Sequence, residues 1–228
     1  MPTYNPPLRD MQFVMHEVLK VVDDLKQIPK HADMDADTIT AVLEEGGKFA
    51  SEVIFPLNIS GDAEACTLDP VTHAVTTPKG FKEAYKTYIE GGWAALGCDP
   101  EYGGQGLPFV VNSMFYEMLN SANQAWTMYP GLTHGAYAAL EAHGTPEQKA
   151  TYLHKMTSGE WTGTMCLTEP QCGTDLGLMR TKAEPQADGT YKITGNKIFI
   201  SAGEHDMSDN IIHLVLARLP DAPIGIKG

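Results

Sequence analysis

Basic side chains are scarce in this chain: 16 Lys and Arg face 29 Asp and Glu, a formal net charge of −13 over 228 residues. That balance excludes nucleic-acid binding, which needs clustered Lys and Arg to meet phosphates. No apolar run approaches the roughly 20 residues that span a bilayer, so no integral membrane segment is expected. Cysteine is sparse. Cys66, Cys98, Cys166 and Cys172 form no CxxC pair, which excludes a disulfide scaffold and implies free thiols in a reducing compartment. The 8 histidines show no HExxH or similar spacing, and no metal site is expected. Met1 to Arg9 lacks a charged-then-apolar signal pattern, so a cytoplasmic location is expected. Internal repeats and low-complexity segments are also missing.

What is present is ordinary globular composition, 43% hydrophobic and 20% charged. The length allows one or two domains. The first half reads as helices. Asp10 to Ile28 places Met11, Val14, Val18, Val21, Val22 and Leu25 on one face, and Asp37 to Ile54 does the same with Ile39, Val42, Leu43, Ala50, Val53 and Ile54. Pro56 then reads as a stop. Further helices are expected over Phe81–Glu90, Val110–Ala122 and Thr133–His143. Thr145, Pro146 and Gln148 form a capping-box start for another, running to about Met156.

The pattern changes near Trp161. Thr162 to Thr168, Tyr191 to Ser201 and Ile211 to Ala217 read as strands, with Asp188-Gly189 as a hairpin turn. The expected fold class is therefore multi-domain α+β: an all-α helical domain over 1–160, then the start of a β-barrel-like middle domain over 161–228. Three strands are fewer than a closed sheet wants. The expectation is a truncated chain from which a C-terminal helical bundle is absent.

The segment Met165-Cys166-Leu167-Thr168-Glu169-Pro170-Gln171-Cys172-Gly173-Thr174-Asp175 carries the most information. It resembles the flavin-binding signature of the acyl-CoA dehydrogenases, in which a strand ends in C-[VL]-T-E-P and a G-[ST]-D loop follows. Three more segments resemble that family, in its order: Pro100-Glu101-Tyr102-Gly103-Gly104-Gln105-Gly106-Leu107, Gly144 to Leu153 with Gln148-Lys149, and Gly195-Asn196-Lys197-Ile198-Phe199-Ile200-Ser201. The opening Tyr4 to Asp10 is similar to a leader of a longer-chain subgroup that includes methylthiopropionyl-CoA dehydrogenases. Departures are small. Met165 stands where Tyr or Phe is common, Gln171-Cys172 replaces a Gly-Ala pair, and Ser201 replaces Thr while keeping the hydroxyl.

The resemblance implies FAD as cofactor and α,β-dehydrogenation of an acyl-CoA thioester, with electrons passed to an electron-transfer flavoprotein. It implies flavin contacts at Met165, Cys166, Leu167, Thr168, Gly173, Thr174, Phe199, Ile200 and Ser201, and substrate contact at Thr174. Thr168 would bond the polar edge of the isoalloxazine, Gly173 would let the backbone approach a phosphate, and Phe199 would cover a ring face. The catalytic base is expected beyond Gly228, the isolated fragment is expected to be inactive, and the intact enzyme is expected to be a homodimer or tetramer. A flavin acyl-CoA oxidase and a non-catalytic helical interaction module are the alternatives. Taken singly, the same residues have plain readings. Thr168 is a strand threonine, Glu169-Pro170 a strand end, Phe199 a core aromatic, His134 a packed histidine, and Gly103-Gly104-x-Gly106 a tight connection between helices, because no strand precedes it.

Overall fold

The protein is described as a computed structural model, covering residues 3–228. The chain opens with a broken helix rather than the continuous one that periodicity suggests. Helix α1 (Leu8–Gln12) passes into a π-helical turn, Phe13–Val18, and α2 (Val21–Leu25) follows. Lys20 between them sits in the left-handed region, φ 52° and ψ 45°, which ends helical hydrogen bonding. Helix α3 (Ala36–Lys48) starts where the Asp35 side chain accepts the Thr38 N–H, and it too runs into a π-turn, Phe49–Ile54. Pro56 stops nothing. It is the first residue of α4 (Pro56–Glu64), a position where proline's missing N–H costs no bond.

After a short hairpin of β1 (Thr67–Leu68) and β2 (Val75–Thr76), α5 (Phe81–Glu90) forms with the predicted ends. The two helices expected over 110–143 are one element, α6 (Phe109–His143), interrupted at Asn123, whose φ of −161° and ψ of 91° are not helical. Pro130 lies inside the second half. Helix α7 (Pro146–Thr157) carries the full capping box, Thr145 with Gln148.

The core of these helices is aromatic. Phe115 stacks on Trp93 with centroids 4.5 Å apart, and Phe49 lies 6.2 Å from Trp126. Gly46 on α3 makes the approach possible, since a Cβ there would lie 2.7 Å from the Phe115 ring. Such overlap costs more than the helical preference of alanine returns. Trp126 is fully buried and donates its indole N–H to the Phe81 carbonyl, as a buried indole must.

At Trp161 helices give way to strands. Strand β3 (Trp161–Cys166) pairs in parallel with β6 (Asn210–Val215), so the chain between them leaves at one end of the pair and re-enters at the other. Within that excursion β4 (Lys182–Pro185) and β5 (Tyr191–Thr194) form an antiparallel hairpin. Its turn is closed by Asp188, which accepts the Thr190 N–H and hydroxyl, with Gly189 at φ 85°. Strand β5 is shorter than the expected Tyr191–Ser201. It ends before Gly195, where any Cβ would collide with Thr181. Among the described residues the strands form three two-stranded sheets and no closed barrel.

Strand β3 docks on α6 through small residues. A Cβ on Gly163 would overlap that of Ala136, and the Gly163 N–H donates to Thr133 Oγ1 at 3.0 Å. Among the described residues no helix is long and apolar enough to cross a membrane. The four cysteines are free thiols, and only Cys66 is exposed.

Candidate functional site

The residues that the sequence singles out gather at the end of β3. Along that strand Thr162, Thr164 and Cys166 are buried on the face opposite Gly163, Thr162 against His205 and Ser208 and the other two against His213, whereas Met165 is 47% exposed. Thr164 is tied down by His213 of β6, Oγ1 to Nδ1 at 2.7 Å. Beyond Cys166 the strand stops, and Leu167 and Thr168 are half-buried at the surface.

The segment from Lys197 to Ser201 lies beside them. It is an irregular extended stretch rather than the strand that its β-branched and aromatic composition suggests. The Ile198 N–H donates to the Thr168 carbonyl at 2.9 Å, and Lys197 Nζ donates to the Leu167 carbonyl at 2.9 Å. Phe199 is next, 88% exposed and in the left-handed region with φ 58°. A bulky side chain in that region is a real outlier. Such backbone costs about 1–3 kcal/mol and persists where its surroundings over-determine it. Phe199 is not a core aromatic. Ile200 and Ser201 fall in the turn that follows, closed by the Gly203 N–H on the Ile200 carbonyl.

On the other side of Thr168 comes Gly173. A Cβ there would lie 3.4 Å from Thr168 Cγ2, so the glycine backbone packs against the threonine side chain. Thr174 and Ser201 are exposed, which leaves their hydroxyls open to a ligand. The structure places Gly173 beside Thr168 and joins Thr168 to Ile198; Met165, Gly173, Thr174, Phe199 and Ser201 are exposed, and Leu167, Thr168 and Ile200 half-buried. The Cys166 side chain is buried beside Thr164 and His213, so only its backbone can take part. The surface pairs a large exposed aromatic and an exposed thioether with several hydroxyls and backbone groups. That donor set fits a planar aromatic ligand with a polar edge.

Behind this surface sits a group that the plain reading of a strand end passes over. Glu169 is 3% exposed. Its carboxylate accepts Lys197 Nζ at 2.9 Å, the Thr181 N–H at 2.9 Å, the Arg180 N–H at 2.8 Å and the Gln171 side-chain amide. Burial by itself would raise the carboxyl pKa. The bonds from Thr181, the Arg180 N–H and Lys197 outweigh it and hold the carboxyl well below the usual range. A buried acid in a lysine's reach 28 residues later is not a pattern that sequence spacing displays.

Two other expectations are decided by geometry. The Gly103–Gly106 run is not available to a phosphate. The Gly104 and Gly106 N–H groups donate to the Asp99 and Cys98 carbonyls, and the Gln105 N–H to that of Ala95. His134 is packed beside Tyr116, ring centroids 5.9 Å apart, on a cavity of about 20 Å³ shared with Tyr88, Tyr137 and Cys98. Burial lowers its pKa. That volume admits about one water, and His134 also borders an open cleft of about 610 Å³ that Cys98, Gly106 and Asn112 line. Among the described residues no cluster of His, Cys, Asp and Glu is placed to hold a metal.

Comparison with known proteins gives a consistent result. Residues 64–160 match the family model "Acyl-CoA dehydrogenase, N-terminal domain". The 3-methylmercaptopropionyl-CoA dehydrogenase of Ruegeria pomeroyi is 46% identical, over 99% of this chain and 38% of that protein. A broad-specificity linear acyl-CoA dehydrogenase of Mycobacterium tuberculosis is 39% identical, over 100% of this chain and 37% of that protein. The chain therefore spans a little over a third of the length of these relatives. Among solved structures, a glutaryl-CoA dehydrogenase of Mycobacterium smegmatis superimposes with TM-score 0.65 at 24% identity, over 88% of this chain and 47% of that one. An acyl-CoA dehydrogenase of Bacillus anthracis in complex with FAD gives 0.64 at 23%, over 82% and 30%. At that identity the likeness is one of fold.

Proposed function

We propose, since this chain belongs to the acyl-CoA dehydrogenase family, that it supplies the helical scaffold and one flavin-facing surface of an FAD-dependent acyl-CoA dehydrogenase. The division into a helical domain over 1–160 and the start of a β middle domain over 161–228 belongs to this reading. So do electron transfer to an electron-transfer flavoprotein, a homo-oligomeric whole protein and a cytoplasmic location. The 46% identity to a 3-methylmercaptopropionyl-CoA dehydrogenase makes that thioester the first substrate to assay.

The reaction removes a proton from Cα and a hydride from Cβ, and bound FAD supplies the hydride acceptor. This chain's residues bind and orient. Thr168 offers a hydroxyl, and the neighbouring backbone offers N–H groups, to the polar edge of the ring. Hydrogen bonds of that kind strengthen as negative charge develops there. Gly173 and Thr174 meet a phosphate without a side chain in the way, and the Thr174 hydroxyl also faces the acyl-CoA. Phe199 and Met165 cover a ring face and exclude water from it. None of the residues here is assigned the role of the base.

The observation that carries the reading is Phe199, held in a costly left-handed conformation and almost fully exposed, one residue from the bond between Ile198 and Thr168. An aromatic held out this way needs a partner. The test is to purify the whole protein, measure its FAD content, and add 3-methylmercaptopropionyl-CoA and linear acyl-CoA thioesters without oxygen. Bleaching of oxidised flavin by at least one thioester is expected. A protein free of FAD, or flavin that no acyl-CoA reduces, rules the reading out.

A further inference from the structure

The search for uses beyond this site returns to the buried ion pair. Three successive residues are each bonded to the 197–198 segment, two through their backbone carbonyls and the third through its carboxylate. Leu167 O accepts from Lys197 Nζ, Thr168 O from the Ile198 N–H, and the Glu169 carboxylate from Lys197 Nζ. Glu169 is also fixed to its own loop, exchanging backbone bonds with Cys172 at 2.8 and 3.0 Å. The side chains of Lys197 and Glu169 are 10% and 2% exposed, so solvent neither screens the pair nor replaces it. No other ion pair among the described residues is buried; the rest are exposed at the surface.

We propose that Glu169 and Lys197 are positioning residues that lock the Thr168 segment to the Phe199 segment, so that the two halves of the flavin surface keep one spacing. The proposal rests on the flavin reading for its purpose but not for its geometry. A single backbone bond, Ile198 to Thr168, would leave the two segments free to pivot about it. Lys197 adds two bonds on one side of that hinge, and Glu169 hands the constraint on to Arg180 and Thr181 at the start of β4. A ring gripped from both segments is then met at a fixed distance, and small errors in such a distance are costly.

The pair also makes a prediction about charge. Removing one partner leaves the other as an uncompensated charge in the interior, one residue from Thr168. A lone ammonium favours the extra negative charge of reduced flavin, and a lone carboxylate opposes it.

The experiment uses the whole protein and the variants Glu169→Gln, Lys197→Met, Lys197→Arg and the double variant Glu169→Gln/Lys197→Met. Hydrogen exchange of the flavin-free protein is the first readout. Protection at the Ile198 amide should fall about tenfold or more in both charge-removing single variants, while the α5 and α6 amides stay protected. FAD affinity should weaken about tenfold in each single variant. The double variant should be no worse than the worse single, because the two residues act as one unit, and Lys197→Arg should retain most of the affinity. The flavin potential should rise in Glu169→Gln and fall in Lys197→Met. Loss of protection throughout the protein would mean a merely structural role and overturn the proposal, as would additive losses of affinity or potentials that move in the same direction. Should any single variant not fold, the double variant and Lys197→Arg carry the exchange and affinity tests. A wild type that binds no FAD would instead refute the flavin reading, and the exchange result would still decide whether the lock exists.

Discussion

The Asn123 side chain caps the second half of α6, its Oδ1 accepting the Trp126 N–H at 3.0 Å, in the middle of what is nominally one helix. Its Nδ2 reaches across to the Ile54 carbonyl at 3.4 Å, at the end of the second π-turn, and its own carbonyl accepts the Thr127 hydroxyl. Asn123 is 1% exposed. Asn123→Ala therefore removes a cap and leaves buried backbone groups without partners. A loss of about 2 kcal/mol is expected, the upper end for capping substitutions. Chemical denaturation checks it. Asn123→Asp keeps the cap but not the bond to Ile54, and should fall between the two.

Thr168→Val tests the hydroxyl on the candidate flavin surface. The isosteric change suits an extended chain, so the denaturation midpoint should barely move. In the FAD-bound whole protein the reduction potential should fall and flavin reduction by acyl-CoA should slow, by the equivalent of about 1.5–3 kcal/mol for a bond to a charged group. Thr164 is an unsuitable control, because it is buried and bonded to His213. Thr194→Val, exposed at the end of β5, serves, and stopped-flow reduction should leave it at the wild-type rate.

Phe199→Asn should have opposite effects on stability and binding. Asparagine tolerates the left-handed region that φ 58° requires. The variant should be more stable by about 1 kcal/mol and should bind FAD more weakly than wild type. Thermal melts of the flavin-free protein and FAD titration check the two halves separately. A variant that loses stability would show that Phe199 packs somewhere after all.

His205 gives the chain a pH dependence of defined sign. It is 4% exposed. Its Nδ1 accepts the Met207 N–H at 3.2 Å, so the ring proton sits on Nε2, 3.0 Å from Thr162 Oγ1. Burial lowers its pKa, against the pull of Glu204 and Asp206. The Tyr129 ring packs edge-on against it, and Asp206 accepts two bonds from Thr77. With the folded value below the unfolded one, the unfolded chain takes up the proton first. Stability is complete above pH of about 6.5 and is lost as pH falls below it. His205→Gln should flatten the dependence of the melting temperature between about pH 7 and 5.

Much of the helical half was legible because its signals are local. The capping box at Thr145 and the ends of α5 follow from residues three or four apart. The breaks were not legible. A π-turn is invisible to spacing and rotates the stripe, so Val14 and Val18, expected on the buried face, are exposed and Met15 is buried instead. Pro56 reads equally as a stop or a first residue, and Asn123 resembles any polar residue in a helix until Ile54 is placed beside it. The candidate flavin residues were legible as motifs, and the structure brings Thr168 into contact with Gly173 and Ile198. The support behind them was not, because Glu169 and Lys197 meet only after the intervening hairpin has folded. The extended reading of Ile198–Ser201 failed for a related reason. β-branched and aromatic residues favour a strand only where a neighbouring strand pairs with them, and here Thr168 gives Ile198 a single bond.

The parallel pairing of β3 with β6 has a consequence for how this protein can change. Everything from Leu167 to Asp209 leaves at the Cys166 end of the pair and re-enters at the opposite end, since Trp161 lies opposite Asn210 and Cys166 opposite Val215. The segment is a cassette hung from two fixed pegs. Lengthening the part before His205 costs little, about 0.6 kcal/mol for each doubling, whereas His205, Asp206 and Met207 are anchored to Tyr129, Thr77 and the helical core. Insertion, deletion or exchange between the end of β3 and His205 can therefore change the candidate flavin surface, while the aromatic core around Phe115 and Trp126, with Met207 against it, stays as it is.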